Sequence, residues 1–247
     1  MEQDKVKISV VSYLNSIPFV FGLENAENEQ LVISKDIPSE CAAKLIDGTV
    51  DIGLIPIAMI NKMDNAEIIS DYCISGNGKV ASVLLVSNSP MEEITTIFQD
   101  HQSRTSVALA KILMRDYWKK EVIWLEENDN FLQPKNNEAI VIIGDRALKN
   151  YQQYKYVYDL SEAWKNHTGL PFVFACWVSN KKISNNLISA LNNAFKNSLL
   201  QIDNYCDSVN TESDITGRDY LTKYIQYELT DDVRMGMNMF LDLLKSL

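Results

Sequence analysis

The chain has 247 residues, of which 46% are hydrophobic and 23% charged, and a net charge of −10. That composition can bury a core, in one large domain or two lobes of ordinary size, and excludes a disordered chain. The acidity argues against nucleic acid, which needs a basic face, and no apolar run reaches membrane-spanning length.

An anionic small molecule stays compatible with this charge, because helix N-termini and one or two cations can hold it locally. The opening MEQDKVKISVVSYLN lacks the basic, apolar and small-residue regions of a signal peptide, which predicts a cytosolic protein. Cys41, Cys73, Cys176 and Cys206 are far apart in sequence and form no CxxC pair. They read as reduced thiols, and a zinc site is not expected. His101 and His167 are the only histidines, so a histidine-based metal site or triad has few places to form.

In chain order, KISVVSY (7–13) reads as a strand and PFVFGLENA (18–26) as a short helix. LVISKDI (31–37) is a second strand. Pro38-Ser39-Glu40 opens a helix that Gly48 ends. DIGLIPIAMI (51–60) is a third strand, ending near Pro56. This β-α-β-α-β series favours a parallel, doubly wound sheet. KVASVLLVSNSP (79–90) is a long strand, ITTIF (94–98) a short one, and SRTSVALAKILMRDYW (103–118) a helix. Strands follow at VIWLEE (122–127) and in AIVIIGDRAL (139–148), then strand into helix over KYVYDLSEAW (155–164). LPFVFACWVSN (170–180) is one more long strand. From 184 the pattern turns helical, with Leu187, Ile188, Leu191, Ala194 and Phe195 on one face. Thr230-Asp231-Asp232 caps the last helix.

The βα series restarts after the long strand 79–90 and stops after 170–180. That predicts an α/β protein of two lobes joined by two crossing strands, residues 1–87 with 178–247 against 88–177. A ligand would lie in the cleft, against strand ends and helix N-termini of both lobes.

Several residues could carry chemistry there. Asn15 follows the first strand, where its amide can donate and accept at once; capping the helix near Pro18 is the competing reading. Ser103, Thr105 and Ser106 sit where a helix begins, and hydroxyls with free N–H groups make an anion cradle. Arg104 would add a bidentate clamp. An ordinary cap with a surface arginine explains the same residues. Ser82 would face the cleft from the crossing strand or lie on a solvated face. Asp145, after Ile143 and Gly144, is a general base, an arginine partner or a helix cap. Gly169 and Pro171 form either a hinge that lays Phe172 on a ligand ring or a plain turn. Trp164 and Trp177 read as packing, and His167 as exposed.

Asn15 in SYLNSIPF, GLIPIA (53–58), GKVASVLLVS (78–87), SRTSVALAKIL (103–113), IGDRAL (143–148) and TGLPFVFACW (168–177) come in an order and spacing that spans about 165 residues. Together they resemble the chorismate dehydratase family of the futalosine route to menaquinone. The resemblance implies a two-lobed type II periplasmic-binding-protein-like fold. It also implies that chorismate, a small dicarboxylate, loses water to give 3-[(1-carboxyvinyl)oxy]benzoate. No cofactor and no metal are implied. Asn15 and Asp145 would be the catalytic pair. Ser12, Tyr13 and Ser82 would bind substrate, with Ser103, Arg104, Thr105 and Ser106 at the helix start. Gly144, Gly169, Leu170 and Phe172 would complete the site. Asn15 would polarise the leaving hydroxyl, and the proton would pass to Asp145, to water or to the substrate's own carboxylate.

Two rivals remain at this point. One is a 1,4-dihydroxy-6-naphthoate synthase-like enzyme of the same route, although its Pro-Cys-Pro-Asn opening is replaced here by SYLNSIP. The other is a non-catalytic cytosolic small-anion-binding protein. Oligomeric state is not readable.

Overall fold

A computed structural model describes residues 5–26, 30–100, 103–126 and 132–247. His101 and Glu127, the latter at the end of a predicted strand, lie outside the described residues. Among those residues the strands form two sheets, one of six and one of five.

The first sheet begins as the sequence predicts. β1 (Val6–Val11), α1 (Ile17–Glu24), β2 (Leu31–Asp36), α2 (Pro38–Ile46) and β3 (Ile52–Pro56) make two crossover units, with β1 parallel to both β2 and β3. Every residue of β3 is buried, as a central strand covered on both faces requires. Gly48, just past α2, has φ +78, the left-handed conformation that ends helices.

β4 (Glu67–Gly76) is a strand the sequence pattern does not reveal. Its alternation is broken by register shifts opposite the late strand β10 (Phe172–Ser179), and a bulge spoils a period of two. The polar pair in its middle is satisfied from outside the sheet. Ser70 donates to Asn192 Oδ1 at 2.7 Å, and the Asp71 N–H reaches the same oxygen at 3.3 Å.

The second sheet holds β5 (Val83–Ser87), β6 (Thr96–Gln99), β7 (Ile123–Glu126), β8 (Glu138–Ile143) and β9 (Tyr156–Asp159) in the order β7-β6-β8-β5-β9. Its helices are α3 (Arg104–Asp116), α4 (Gly144–Asn150) and α5 (Leu160–Thr168). The chain then returns through β10, antiparallel between β3 and β4, so the first sheet runs β11-β4-β10-β3-β1-β2. The C-terminal part adds α6 (Asn185–Leu200), the single turn α7 (Gly217–Asp219), the short edge strand β11 (Gln226–Glu228) and α8 (Asp231–Leu244). α6 packs on α1 so tightly that a Cβ on Gly22 would lie 2.7 Å from the Ala194 carbonyl oxygen. Phe19, Trp177, Phe195 and Tyr227 fill the core beneath, with ring centroids of contacting pairs 4.8–5.6 Å apart.

The crossings differ from the expectation. Neither long apolar run bridges the sheets: β5 lies wholly in the second and β10 wholly in the first. The sheets are joined by residues 77–82 and 169–171, rather than by the long strands expected at 79–90 and 170–180. The run KVASVLLV reads as one strand, but Ala81 at φ +61 breaks it before Val83. What holds Ala81 in that conformation is Asp159. Its carboxylate accepts the N–H groups of Val80 (2.9 Å) and Ala81 (2.7 Å). Its other oxygen caps α5, accepting Ser161 N–H at 3.0 Å and Glu162 N–H at 3.1 Å. The second crossing is fixed from the same helix, where the Trp164 indole donates to the Pro171 carbonyl at 3.2 Å.

Burial pushes the Asp159 carboxyl up to about 6, against the lowering effect of its N–H donors. A group whose folded value is raised holds its proton in the native state where the unfolded chain has released it. Its stabilising effect is therefore complete below the unfolded value of 3.8 and is lost as pH rises through about 6. Asp159→Asn, which cannot titrate, removes this dependence. The stability advantage of the native protein over Asp159→Asn in urea unfolding should shrink between pH 4.5 and 7. A gap that widens with pH would mean that the N–H donors win over burial.

Candidate functional site

A cleft opens between the lobes at the carboxyl ends of β1, β3 and β8, where open α/β sheets bind ligands. The loop after β1 supplies Tyr13, Asn15 and Ser16. The first crossing supplies Ser82, the start of α3 supplies Ser103, Thr105 and Ser106, and the end of β8 supplies Ile143 and Gly144. Pro38, Pro56, Ile74 and Phe174 add apolar wall.

Asn15 lies in a short turn, Leu14–Ser16, ahead of α1. It does not cap that helix: the N-cap position is Ser16, which makes no side-chain cap bond. The Asn15 carbonyl oxygen accepts the Ser16 hydroxyl at 3.2 Å. At the start of α3, Ser103 Oγ accepts the Ser106 N–H at 3.1 Å and donates its own hydrogen to Ser106 Oγ at 2.8 Å. Both readings of this turn thus meet in one geometry, a capped helix whose hydroxyls also line the cleft. Thr105 Oγ1 accepts the Ala58 N–H at 3.1 Å, tying α3 to the end of β3 across the lobes. That bond uses Thr105 as an acceptor and leaves its hydrogen available to a ligand.

Asp145 is not part of the cleft lining, nor does it cap α4. Its carboxylate accepts the Leu14 N–H at 3.1 Å, a second tie between the lobes. Burial raises its pKa, the Leu14 bond lowers it, and the charge on Glu212 raises it, with a net upward shift. Burial also raises the Tyr13 phenol far above its usual range, so it stays protonated. Beneath it, Gly144 has φ +60, and a Cβ there would sit 2.8 Å from the Tyr13 ring.

Other expected residues lie elsewhere. Arg104 projects from the opposite side of α3, where it lines a separate groove with Val107, Ala108 and Lys111. Spacings of three, four and seven put these on one helical face, away from Thr105 and Ser106, so no arginine clamp forms in the cleft. Ser12 is exposed, and its N–H pairs with the Asp36 carbonyl at the end of β1. Gly169 is the left-handed cap of α5, with φ +76. The Leu170 Cβ packs 3.4 Å from where a Cβ on Gly236 would stand. Phe172 is fully buried, its ring against Trp164, Phe174 and Phe240. It supports the cleft only by backing Phe174, which a register shift in β10 brings to the lining.

Sequence reasoning missed Tyr220. It is fully buried behind the cleft, in a wide helical turn, Tyr220–Tyr224, and donates to Ser82 Oγ at 2.9 Å. Nothing in GRDYLTKY marks it. Among the described residues, no Lys, Arg, His, Asp or Glu lines the cleft, and no three His, Cys, Asp or Glu side chains converge as metal ligands. No helix among them is long and apolar enough to cross a membrane. The arrangement can hold an anion by hydroxyls, an amide and a helix N-terminus, without a fixed counter-charge.

Gly144→Ala should lower the melting temperature by a few degrees, because a non-glycine residue at this φ costs about 1–2 kcal/mol and its methyl displaces Tyr13. An unchanged melting curve would show that the turn relaxes freely.

Comparison with known proteins bears on the family and the fold. A chorismate dehydratase of Thermus thermophilus is 26% identical over 193 residues, 67% of this chain and 71% of that protein. One from Campylobacter jejuni is 30% identical over 172 residues, 67% of this chain and 63% of that protein, just under two thirds of its length. Among solved structures, a protein of Archaeoglobus fulgidus superposes with a TM-score of 0.77 at 13% identity, covering 100% of this chain and 98% of that one. The periplasmic aliphatic sulphonate binding protein of Escherichia coli gives 0.67 at 11%, covering 99% and 93%. At such identities the likeness shows the fold, a two-lobed periplasmic-binding-protein fold as expected from the sequence. The sequence profile of the menaquinone biosynthesis family matches residues 6–246, and the chain belongs to that family.

Proposed function

We propose that the protein is a hydro-lyase that converts chorismate and releases water, giving 3-[(1-carboxyvinyl)oxy]benzoate on the futalosine route to menaquinone. The family match supports the pathway, and the two relatives named chorismate dehydratase support the reaction. The observation that carries the reading is the cleft lining, with hydroxyl and amide donors around an apolar wall.

The substrate carries two carboxylates. Ser82 on one side and the start of α3 on the other can each take one. The reaction removes the ring hydroxyl and the hydrogen on the carbon bearing the enol ether, and the ring becomes aromatic. Aromatisation supplies the driving force, so the protein need only orient the ring and stabilise developing charge. Asn15 donates to the departing hydroxyl. The lining supplies no strong base, and Asp145 is turned towards the Leu14 amide. The proton therefore passes to the carboxylate the substrate itself brings and from there to the departing hydroxyl, so that the C–H and C–O bonds break, the ring gains its third double bond and water leaves.

Incubation with chorismate should show loss of the diene absorbance and growth of an aromatic product. Binding without turnover would overturn the enzyme in favour of an anion-binding protein, and inertness would overturn the substrate. In steady-state kinetics, Asn15→Ala should lower kcat by about 10²–10³ and change KM less, because its donor acts mainly in the transition state. Asn15→Asp keeps the shape but adds negative charge near two carboxylates, and should weaken binding. Full activity in Asn15→Ala would make this residue structural.

A further inference from the structure

We propose that Tyr220, remote in sequence from every other cleft residue, is a positioning residue that makes Ser82 an obligate hydrogen-bond donor to the ligand. This rests on the dehydratase reading of the cleft for its substrate, but the geometry is independent of it.

The Ser82 side chain has one rotor and one hydrogen. Its backbone is already fixed. The Ser82 carbonyl accepts the Gly144 N–H at 2.8 Å, and the two residues before it are held by Asp159. What remains free is the direction of the hydroxyl. Tyr220 sets it, because the phenol donates to Ser82 Oγ at 2.9 Å and occupies one of its acceptor sites. Ser82 itself is 1% exposed, so water does not compete from behind. Its hydrogen then has the cleft, which Ser82 lines, as its outlet.

The polar contact runs in one direction, from the Tyr220 phenol to Ser82 Oγ and from the Ser82 hydroxyl into the cleft. Each donor in such a chain polarises the next. Burial keeps the phenol protonated far above its usual range, so the direction does not reverse within the pH range of an assay.

The placement of Tyr220 is rigid. Its N–H bonds the Thr216 carbonyl at 2.9 Å, and its carbonyl accepts Ile225 N–H at 3.3 Å. The turn before it is pressed against the chain at Gly217, where a Cβ would stand 2.3 Å from the Val209 carbonyl oxygen. The C-terminal segment thus closes the back of the cleft with one hydroxyl aimed at one serine.

The test is a double-mutant cycle with Tyr220→Phe, Ser82→Ala and the pair, read by kinetics with chorismate and by melting temperature. Because Ser82 donates to a substrate carboxylate in the ground state, Tyr220→Phe should raise KM about tenfold and leave kcat within about threefold. The pair should behave like Ser82→Ala alone, since Tyr220 acts through that hydroxyl. A loss that multiplies unchanged onto Ser82→Ala, or no loss in Tyr220→Phe, would overturn the proposal. A second readout does not depend on the substrate. In crystals, Ser82 should hold one side-chain rotamer in the native protein and spread over two in Tyr220→Phe. A single rotamer in both overturns the positioning role, whereas native protein inert to chorismate, with the rotamers diverging, overturns the substrate and leaves Tyr220 in place.

Discussion

The two lobes meet at a carboxylate that accepts four backbone N–H groups, two from the first crossing and two from the first turn of α5. Among the described residues Asp159 joins these segments without a salt-bridge partner, replacing water for donors that would otherwise be orphaned by burial. Holding Val80 and Ala81 in this way forces the left-handed kink at Ala81. The kink ends the extended run early and delivers Ser82 to the cleft instead of to a sheet. The same helix also secures the second crossing, through the Trp164 indole on Pro171. One helix and its cap thus fix both places where the chain passes between lobes.

From that junction the cleft is assembled by bonds that each cross between lobes. The Leu14 amide reaches Asp145 and the Ala58 amide reaches Thr105, while the Tyr13 ring lies against Gly144. None of these is a salt bridge. Each satisfies a backbone group at the end of a strand, where the sheet ladder stops, and so exerts its effect through geometry more than through energy. The lobes come together wherever the carboxyl ends of their strands offer such groups. This is also where a ligand gains the most donors.

The electrostatic character follows from the same economy. A chain with a net charge of −10 would repel the proposed dianion at long range, so its binding must come from close, directed donors in the cleft. Hydroxyls and an amide suit that task because their hydrogens can be aimed, and a buried network aims them. A site of this kind favours orientation over acid–base strength, which fits the proposed reaction, whose product is aromatic.

Much of this was legible in the sequence. The β-α-β-α-β opening, the helix that begins at Ser103, the two-lobed plan and the polar residues after the first strand all follow from local periodicity and capping preferences, which depend on near neighbours. β4 was hidden because bulges opposite β10 break its period and Asn192, far along the chain, satisfies its polar centre. The crossings were misplaced because an apolar run does not record the kink that Asp159 imposes. Arg104 could not be assigned a side of α3 from composition alone. Phe174 entered the cleft in place of Phe172 through a shift in strand register. Tyr220 was invisible because its role consists of one bond to a residue 138 positions away. The sequence by itself determined which segments become strands and helices and which short polar stretches stand at their ends, since those are matters of local backbone preference. Only the tertiary structure decided which hydroxyls face one another across the lobes, because a hydrogen bond depends on distance and direction that no local pattern encodes.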